Sequence, residues 1–197
     1  MTDLITLEEY KESQGMTNVK DDARLDVLVK SVSQLVKTYC NRTFIDNHDT
    51  DKTQYFSVDE DTDSLALSEF PVISITSIEE RSSYSEAYVL RTAAAFEYYV
   101  DLNTDSVLRT NKSTGYLNWS RGPGSVKIVY KAGYAETPED LKLAIYDLIT
   151  YYYKDEHKKQ KTLQGSTISN SGTSSQVNQA TFPDHIKRVL DLYRDRR

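Results

Sequence analysis

Lys20-Asp21-Asp22-Ala23-Arg24-Leu25-Asp26-Val27-Leu28-Val29-Lys30-Ser31-Val32-Ser33-Gln34-Leu35-Val36-Lys37-Thr38-Tyr39-Cys40-Asn41 sets Leu25, Leu28, Val29, Val32, Leu35, Val36, Tyr39 and Cys40 at steps of three and four. That spacing gathers them on one face of an α-helix. The opposite side carries Lys20, Asp22, Asp26, Lys30, Ser33, Gln34 and Lys37. The stretch therefore predicts a helix over residues 20–41 that lays one side on a core or on a neighbouring subunit and keeps the other in water.

Upstream, Thr6-Leu7-Glu8-Glu9 has the form of a capping box and opens a short helix that stops near Gly15. Downstream of Phe44 the character turns to β. Residues 45–63 hold seven Asp or Glu against the single Lys52 and are expected to be solvated. Candidate strands follow at about 53–58, 64–69, 72–79, 87–91, 96–101, 105–110, 115–119 and 125–132, separated by turn formers such as Asn103-Thr104-Asp105 and Gly122-Pro123-Gly124. In the last of them Val126, Ile128 and Tyr130 alternate with Lys127, Val129 and Lys131, the period-two pattern of a half-buried strand.

Thr137-Pro138-Glu139-Asp140 restarts helix, with Thr137 as cap, Pro138 at the first helical position and the two acids at the positive end of the dipole. This helix is expected to run over 138–159, with Leu141, Ala144, Ile145, Leu148, Ile149 and Tyr152 inward. Of residues 161–181, 16 of 21 are Ser, Thr, Asn, Gln or Gly, too polar to offset the entropy of ordering. A final helix over 183–195 brings Ile186, Val189, Leu190 and Tyr193 to one face. The fold class expected is α+β: a small helical bundle with a β-rich insertion at about 50–132. Its organisation is a helical core of 1–44 and 133–160, an inserted segment of 45–132, a flexible linker of 161–181 and a docking helix of 182–197.

The 197 residues carry 24 Lys+Arg against 30 Asp+Glu, a net charge of −6. That balance argues against a protein that grips nucleic acid, since phosphate binding relies on basic side chains displacing counterions. The start Met1-Thr2-Asp3-Leu4-Ile5 lacks the pattern of a secretory signal, and no apolar run reaches the length of a membrane span, so a soluble, unexported chain is expected. The single cysteine, Cys40, excludes an internal disulfide framework. Fifteen tyrosines stand beside 5 Phe and 1 Trp; tyrosine suits subunit contacts and also packs well in sheets, and both uses stay open.

No constellation of residues points to catalysis. Asp59-Glu60-Asp61-Thr62-Asp63 resembles the first half of a calcium loop, but Ser64 and Phe70 stand where that loop needs Gly and a bidentate Glu. His48, His157 and His185 share no metal-ligand spacing, and Cys40 on an apolar stripe is expected to be a buried hydrophobe. Arg121-Gly122-Pro123-Gly124 lacks the Lys and Ser/Thr of a phosphate-binding loop. No carboxylate pair stands out by apolar surroundings. No enzyme, no cofactor and no metal is expected.

The ordered set of a capped short helix, a long helix ending in Tyr39-Cys40-Asn41-Arg42-Thr43-Phe44, Phe70-Pro71-Val72-Ile73-Ser74-Ile75, Val129-Tyr130-Lys131-Ala132-Gly133-Tyr134, Thr137-Pro138-Glu139-Asp140-Leu141-Lys142 and Phe182-Pro183-Asp184-His185-Ile186 resembles the head-tail connector proteins of tailed bacteriophages, also called adaptor or head-completion proteins. The resemblance implies a non-enzymatic virion protein of the capsid-tail neck, assembled in the host cytoplasm. It implies a homo-oligomeric ring, usually of twelve copies, beneath the portal, extending the DNA channel toward a downstream stopper or tail protein. DNA would pass without specific binding, and no membrane is involved. By the same resemblance the carboxyl-terminal helix contacts the portal, which nominates Ile186, Arg188, Val189, Leu190, Tyr193, Arg194, Arg196 and Arg197. The long tyrosine-rich β segment departs from the smaller members. Competing readings are a stopper-like neck or tail-completion protein, or a carbohydrate-active enzyme with acids and tyrosines in a groove.

Overall fold

The computed structural model describes residues 2–156, 160–163, 166–169 and 182–194. It is α+β, and it divides into two compact units, one of Met1–Arg42 with Thr137–Asp195, the other centred on Thr43–Glu136.

In the first unit, α1 (Leu7–Ser13) opens on the expected box: Glu9 N–H donates to Thr6 Oγ1 at 3.1 Å, and Thr6 N–H to Glu9 Oε2 at 2.7 Å. Helix α2 (Asp22–Cys40) buries Leu25, Val29, Val32, Val36 and Cys40. Two residues assigned to its wet face are buried as well. Ser33 Oγ accepts from Leu4 N–H, and Lys37 Nζ donates to the Thr2 carbonyl. The amino-terminal segment lies across that side of the helix, so these polar groups serve its backbone instead of water.

Helix α3 (Glu139–Tyr153) buries Leu141, Ala144, Ile145, Leu148 and Ile149. Its cap differs from expectation. Pro138 occupies the N-cap position, and buried Thr137 turns its hydroxyl to the Leu4 carbonyl. The helix ends short of Lys159. Beyond it, β9 (Gln160–Leu163) and β10 (Ser166–Ser169) pair antiparallel within the polar tract, and residues 170–181 lie outside the described residues. The unit closes with α4 (Asp184–Tyr193).

The second unit holds two antiparallel sheets. The first runs β1 (Lys52–Val58), β8 (Gly122–Ala132), β3 (Val72–Glu80), β4 (Val89–Arg91) in spatial order. The second runs β2 (Ser64–Ala66), β6 (Ser106–Asn111), β5 (Tyr98–Asp101), with β7 (Gly115–Tyr116) paired to β6. As its alternation predicts, β8 turns Val126, Ile128, Tyr130 and Ala132 inward and leaves Lys127, Val129 and Lys131 half-buried. They meet Ile78 of β3, Leu65 of β2 and Val107 of β6, with Leu67 and Trp119, in one core. At ~25 cal/mol per Å² of apolar surface removed from water, each such side chain contributes roughly 1.5 to 3 kcal/mol before entropy is counted.

Gly122-Pro123-Gly124, expected as a turn, belongs to β8. Side chains hold its backbone groups in place: Ser57 Oγ accepts from Gly124 N–H, Tyr88 Oη donates to the Gly124 carbonyl and Arg81 Nη2 to the Pro123 carbonyl. The glycines take positive φ, 138° and 55°, which lets the strand bend past its register shift and continue.

Candidate functional site

Three places carry the chemistry that sequence reasoning pointed to or passed over: the seat of α4, a buried ion cluster between the two sheets, and an aromatic groove on the second unit.

Helix α4 rests on α2 and α3 of its own chain. Ile186 and Leu190 are buried, as is Phe182 just before the helix, whose ring meets Tyr39 edge-on at 4.9 Å. The end of α2 supplies donors to the last carbonyls of α4, which no helical N–H can reach. Arg42 Nη1 donates to the Tyr193 carbonyl at 3.2 Å, and the Cys40 thiol to the Leu190 carbonyl at 3.6 Å. Tyr39 Oη donates to Asp191 at 2.7 Å, and Tyr193 Oη to Asp140 of α3 at 2.6 Å.

Of the eight nominated contact residues, then, Ile186 and Leu190 point into the helical unit. Val189 and Tyr193 are half-buried, Arg188 and Arg194 are exposed, and Arg196 and Arg197 lie outside the described residues. The outward face adds Lys187 and Leu192, the latter 77% exposed. A helical wheel holds the signal for this. Ile186, Val189, Leu190 and Tyr193 form the stripe that binds the nearest core, and Leu192 is the apolar residue off that stripe.

Cys40 is fully buried, and burial pushes its thiol up to about 12. Thiolate is the reactive form. Burial thus both shields the sulfur and keeps it protonated, so the folded protein is expected to resist a disulfide-exchange reagent over hours and to yield one equivalent of thiol once denatured. Rapid labelling of the native chain would contradict this placement.

The buried cluster centres on Glu80 at the end of β3. Its Oε2 accepts from Arg91 Nε of β4 at 2.8 Å and from Arg109 Nε of β6 at 3.0 Å. Its Oε1 accepts from Ser120 N–H at 2.7 Å and Ser120 Oγ at 2.8 Å. Burial pushes this carboxyl's pKa up, but the Ser120 hydrogen bonds and the two guanidinium charges outweigh it and hold the group below the usual glutamate value. Arg109 donates onward to the Glu97 and Thr110 carbonyls and lies over the Trp119 ring. Both sheets are tied together here. A carboxylate held ionised by this many donors is a structural strut, not a general acid, which needs a raised pKa.

A second buried glutamate, Glu69, accepts from Thr43 N–H and Lys52 Nζ. Asp61 of the acidic run pairs with Arg121 at 2.9 Å on the surface. His48 lies beside Asp49, His185 is 3.8 Å from Asp147, and His157 lies outside the described residues. Among the described residues no group of three or more His, Cys, Asp or Glu is placed to hold a metal ion, and no helix is long and apolar enough to cross a membrane.

The aromatic groove, about 610 Å³, lies over β5, β6 and β7, with Phe96, Tyr99 and Tyr116 among its walls. Asp101 is the one carboxylate lining it, so it lacks the carboxylate pair that glycoside hydrolysis generally uses.

Comparison with known proteins gives a consistent picture. The family model described as head completion protein matches residues 3–196. The head completion protein of Escherichia phage T5 is 22% identical over 193 residues, covering 97% of this chain and 98% of its own. The fold matches a chain in the neck of an empty gene transfer agent particle computed with C6 symmetry, with TM-score 0.59 and 15% identity over 98% of this chain and 91% of that one. It also matches a chain in the neck of a native gene transfer agent particle computed with C12 symmetry, with TM-score 0.56 and 14% identity over 100% and 95%. By the family match across nearly its whole length, the chain belongs to the head completion protein family.

Proposed function

We propose that this chain is a non-enzymatic structural component of a virion neck: an adaptor whose copies form a ring, with twelve the expected number, beneath the portal, joining capsid to tail and extending the DNA channel. The observation that carries the reading is the head completion family match over residues 3–196. The neck particles whose subunits share this fold were computed with C6 and C12 symmetry, which supports a ring.

Two physical features suit the role. A net charge of −6 per copy repels DNA phosphates and lets a duplex pass without the salt-dependent grip of a basic wall. The outward face of α4 sets the exposed Leu192 one turn from the exposed Arg188, an apolar anchor beside a cation and suited to an acidic partner. Portal contact is therefore assigned to this outer face, with Ile186 and Leu190 acting as the seat beneath it.

Mixing the purified full chain with its portal and imaging the complex tests the proposal; the expected product is a closed ring on one end of the portal. A chain that binds a tail-side protein and ignores portal would make it stopper-like. Arg188→Glu combined with Leu192→Glu is expected to weaken portal binding by more than tenfold while leaving thermal melting unchanged, because both side chains face solvent. Unchanged affinity would move the contact elsewhere on the molecule.

A further inference from the structure

In the first sheet β1 is an edge strand, paired on one side with β8 and, among the described residues, with no strand on the other. At seven residues it is longer than β2, β4, β5 and β7, the other strands that border a sheet of this unit. Open edges are ordinarily blunted by charge, proline or a covering segment, because their free N–H and C=O groups recruit any extended chain. Here Thr53-Gln54-Tyr55-Phe56-Ser57-Val58 holds no charged residue and no proline, and no backbone-to-backbone hydrogen bond ties it to a loop among the described residues. Its pairing with β8 is regular from Lys52 to Phe56. Tyr55 stands opposite Lys127 on that side, is 60% exposed, and has no cross-strand neighbour on the other.

The chain also carries a strand pair without a larger sheet. Strands β9 and β10, of four residues each, pair with one another and with no other described strand, and an isolated two-stranded hairpin is at best marginally stable in water. The charges around hairpin and edge are opposite. In sequence, Lys158-Lys159 precede β9 and Lys161 lies within it, while Ser166-Thr167-Ile168-Ser169 of β10 is uncharged. Asp46, Asp49 and Asp51 precede β1, and Asp59, Glu60 and Asp61 follow it.

Resting on the neck reading above, we infer that β1 is a strand-acceptor edge and that β10 of a second copy fills it, extending the first sheet by the hairpin. The added strand runs antiparallel, as every strand pair of this chain does, with Thr167 opposite Tyr55. That direction carries the start of β9, and Lys158-Lys159 with it, to the end of β1 where Asp49 and Asp51 lie. Backbone hydrogen bonds supply the affinity in such strand addition. The opposite charges offset the repulsion between copies that each carry −6. A second copy is the donor because the hairpin stands as a separate sheet within its own chain. Donor and acceptor are different patches, so the contact passes from copy to copy as ring closure requires.

The test puts the photo-crosslinker p-benzoyl-phenylalanine in place of Tyr55 in the full chain, in assembled particles. The expected product has twice the chain's mass, and its linked peptide contains residues 160–169. A cross-link within one chain, to another segment of the second copy, to a different virion protein, or to nothing overturns the inference while leaving the neck reading intact. Absence of the unmodified chain from particles overturns both. In a second arm, Lys158→Glu, Lys159→Glu and Lys161→Glu together are expected to reduce incorporation by about tenfold or more, and Asp49→Lys with Asp51→Lys, added to them, to restore it. Incorporation that ignores the first set, or that the second set does not recover, counts against the contact.

Discussion

Replacing Glu80 by Ala is expected to destabilise the β unit by about 3 to 5 kcal/mol, the range for removing one partner of a buried ion pair. The cost comes from stranded charge. The side chains of Glu80 and Arg109 are 3% and 8% exposed, and the carboxylate is the anion on which Arg109 and Arg91 converge. Without it, the Arg109 guanidinium stays desolvated with only the Glu97 and Thr110 carbonyls as acceptors, and Ser120 loses the acceptor for both its N–H and its hydroxyl. Thermal unfolding should fall by on the order of 10 °C.

Acid titration separates charge from shape. Because the folded-state pKa of Glu80 is held below the usual glutamate value, its contribution is fully present above about pH 4.5, the ordinary value for the unfolded chain. It is lost as pH falls from there through the lower folded value. Glu80→Gln keeps the shape and some hydrogen bonds but removes that dependence. The variant is expected to be less stable than the parent at pH 7, and the gap should narrow as pH falls below 4.5. A gap that stays constant with pH would show that the charge contributes nothing and that the strut works by packing alone.

The cluster also marks where the sequence stops speaking. The alternation of Val126, Ile128 and Tyr130 and the three-four steps of α2 are local patterns, repeated by geometry every few residues, and the observed elements follow them. The family resemblance came from the same ordered elements and is confirmed by the match over residues 3–196. Glu80 meets Arg91, Arg109 and Ser120 across separations of 11, 29 and 40 residues. Only strand pairing brings those together, and no periodicity encodes it. Ser33 and Lys37 read as wet because a helical wheel does not contain the amino-terminal segment that covers them. The α4 stripe was legible, but its partner was not: the same four residues suit a foreign groove or the chain's own α2 and α3, and the structure seats Ile186 and Leu190 at home. The outward Tyr99 and Tyr116 needed the strand register before their faces could be assigned.

Gly133→Ala is expected to cost at least as much as losing Glu80, and for a different reason. A Cβ built on Gly133 falls 2.1 Å from the Phe44 carbonyl oxygen and 3.1 Å from its carbon, and the residue sits at φ +105°. The carbonyl cannot simply swing away. It accepts from Tyr134 N–H at 2.8 Å, while Gly133 N–H donates to the Pro71 carbonyl at 2.9 Å. The residue after β8, the segment leading into β1 and the residue before β3 are thus stitched at one point, where backbone must approach backbone with no side chain between. Gly115, at φ +85° with nothing within 4 Å of its Cβ position, isolates the conformational part of the penalty. Gly115→Ala should cost about 1 to 2 kcal/mol, the price of a left-handed backbone alone. Gly133→Ala adds the clash and should cost on the order of 4 kcal/mol or more, read as a melting transition lowered by well over 10 °C or as insoluble protein beside a soluble Gly115→Ala control. Equal effects at the two sites would mean that the chain crossing at Phe44 yields freely and is no fixed point of the fold.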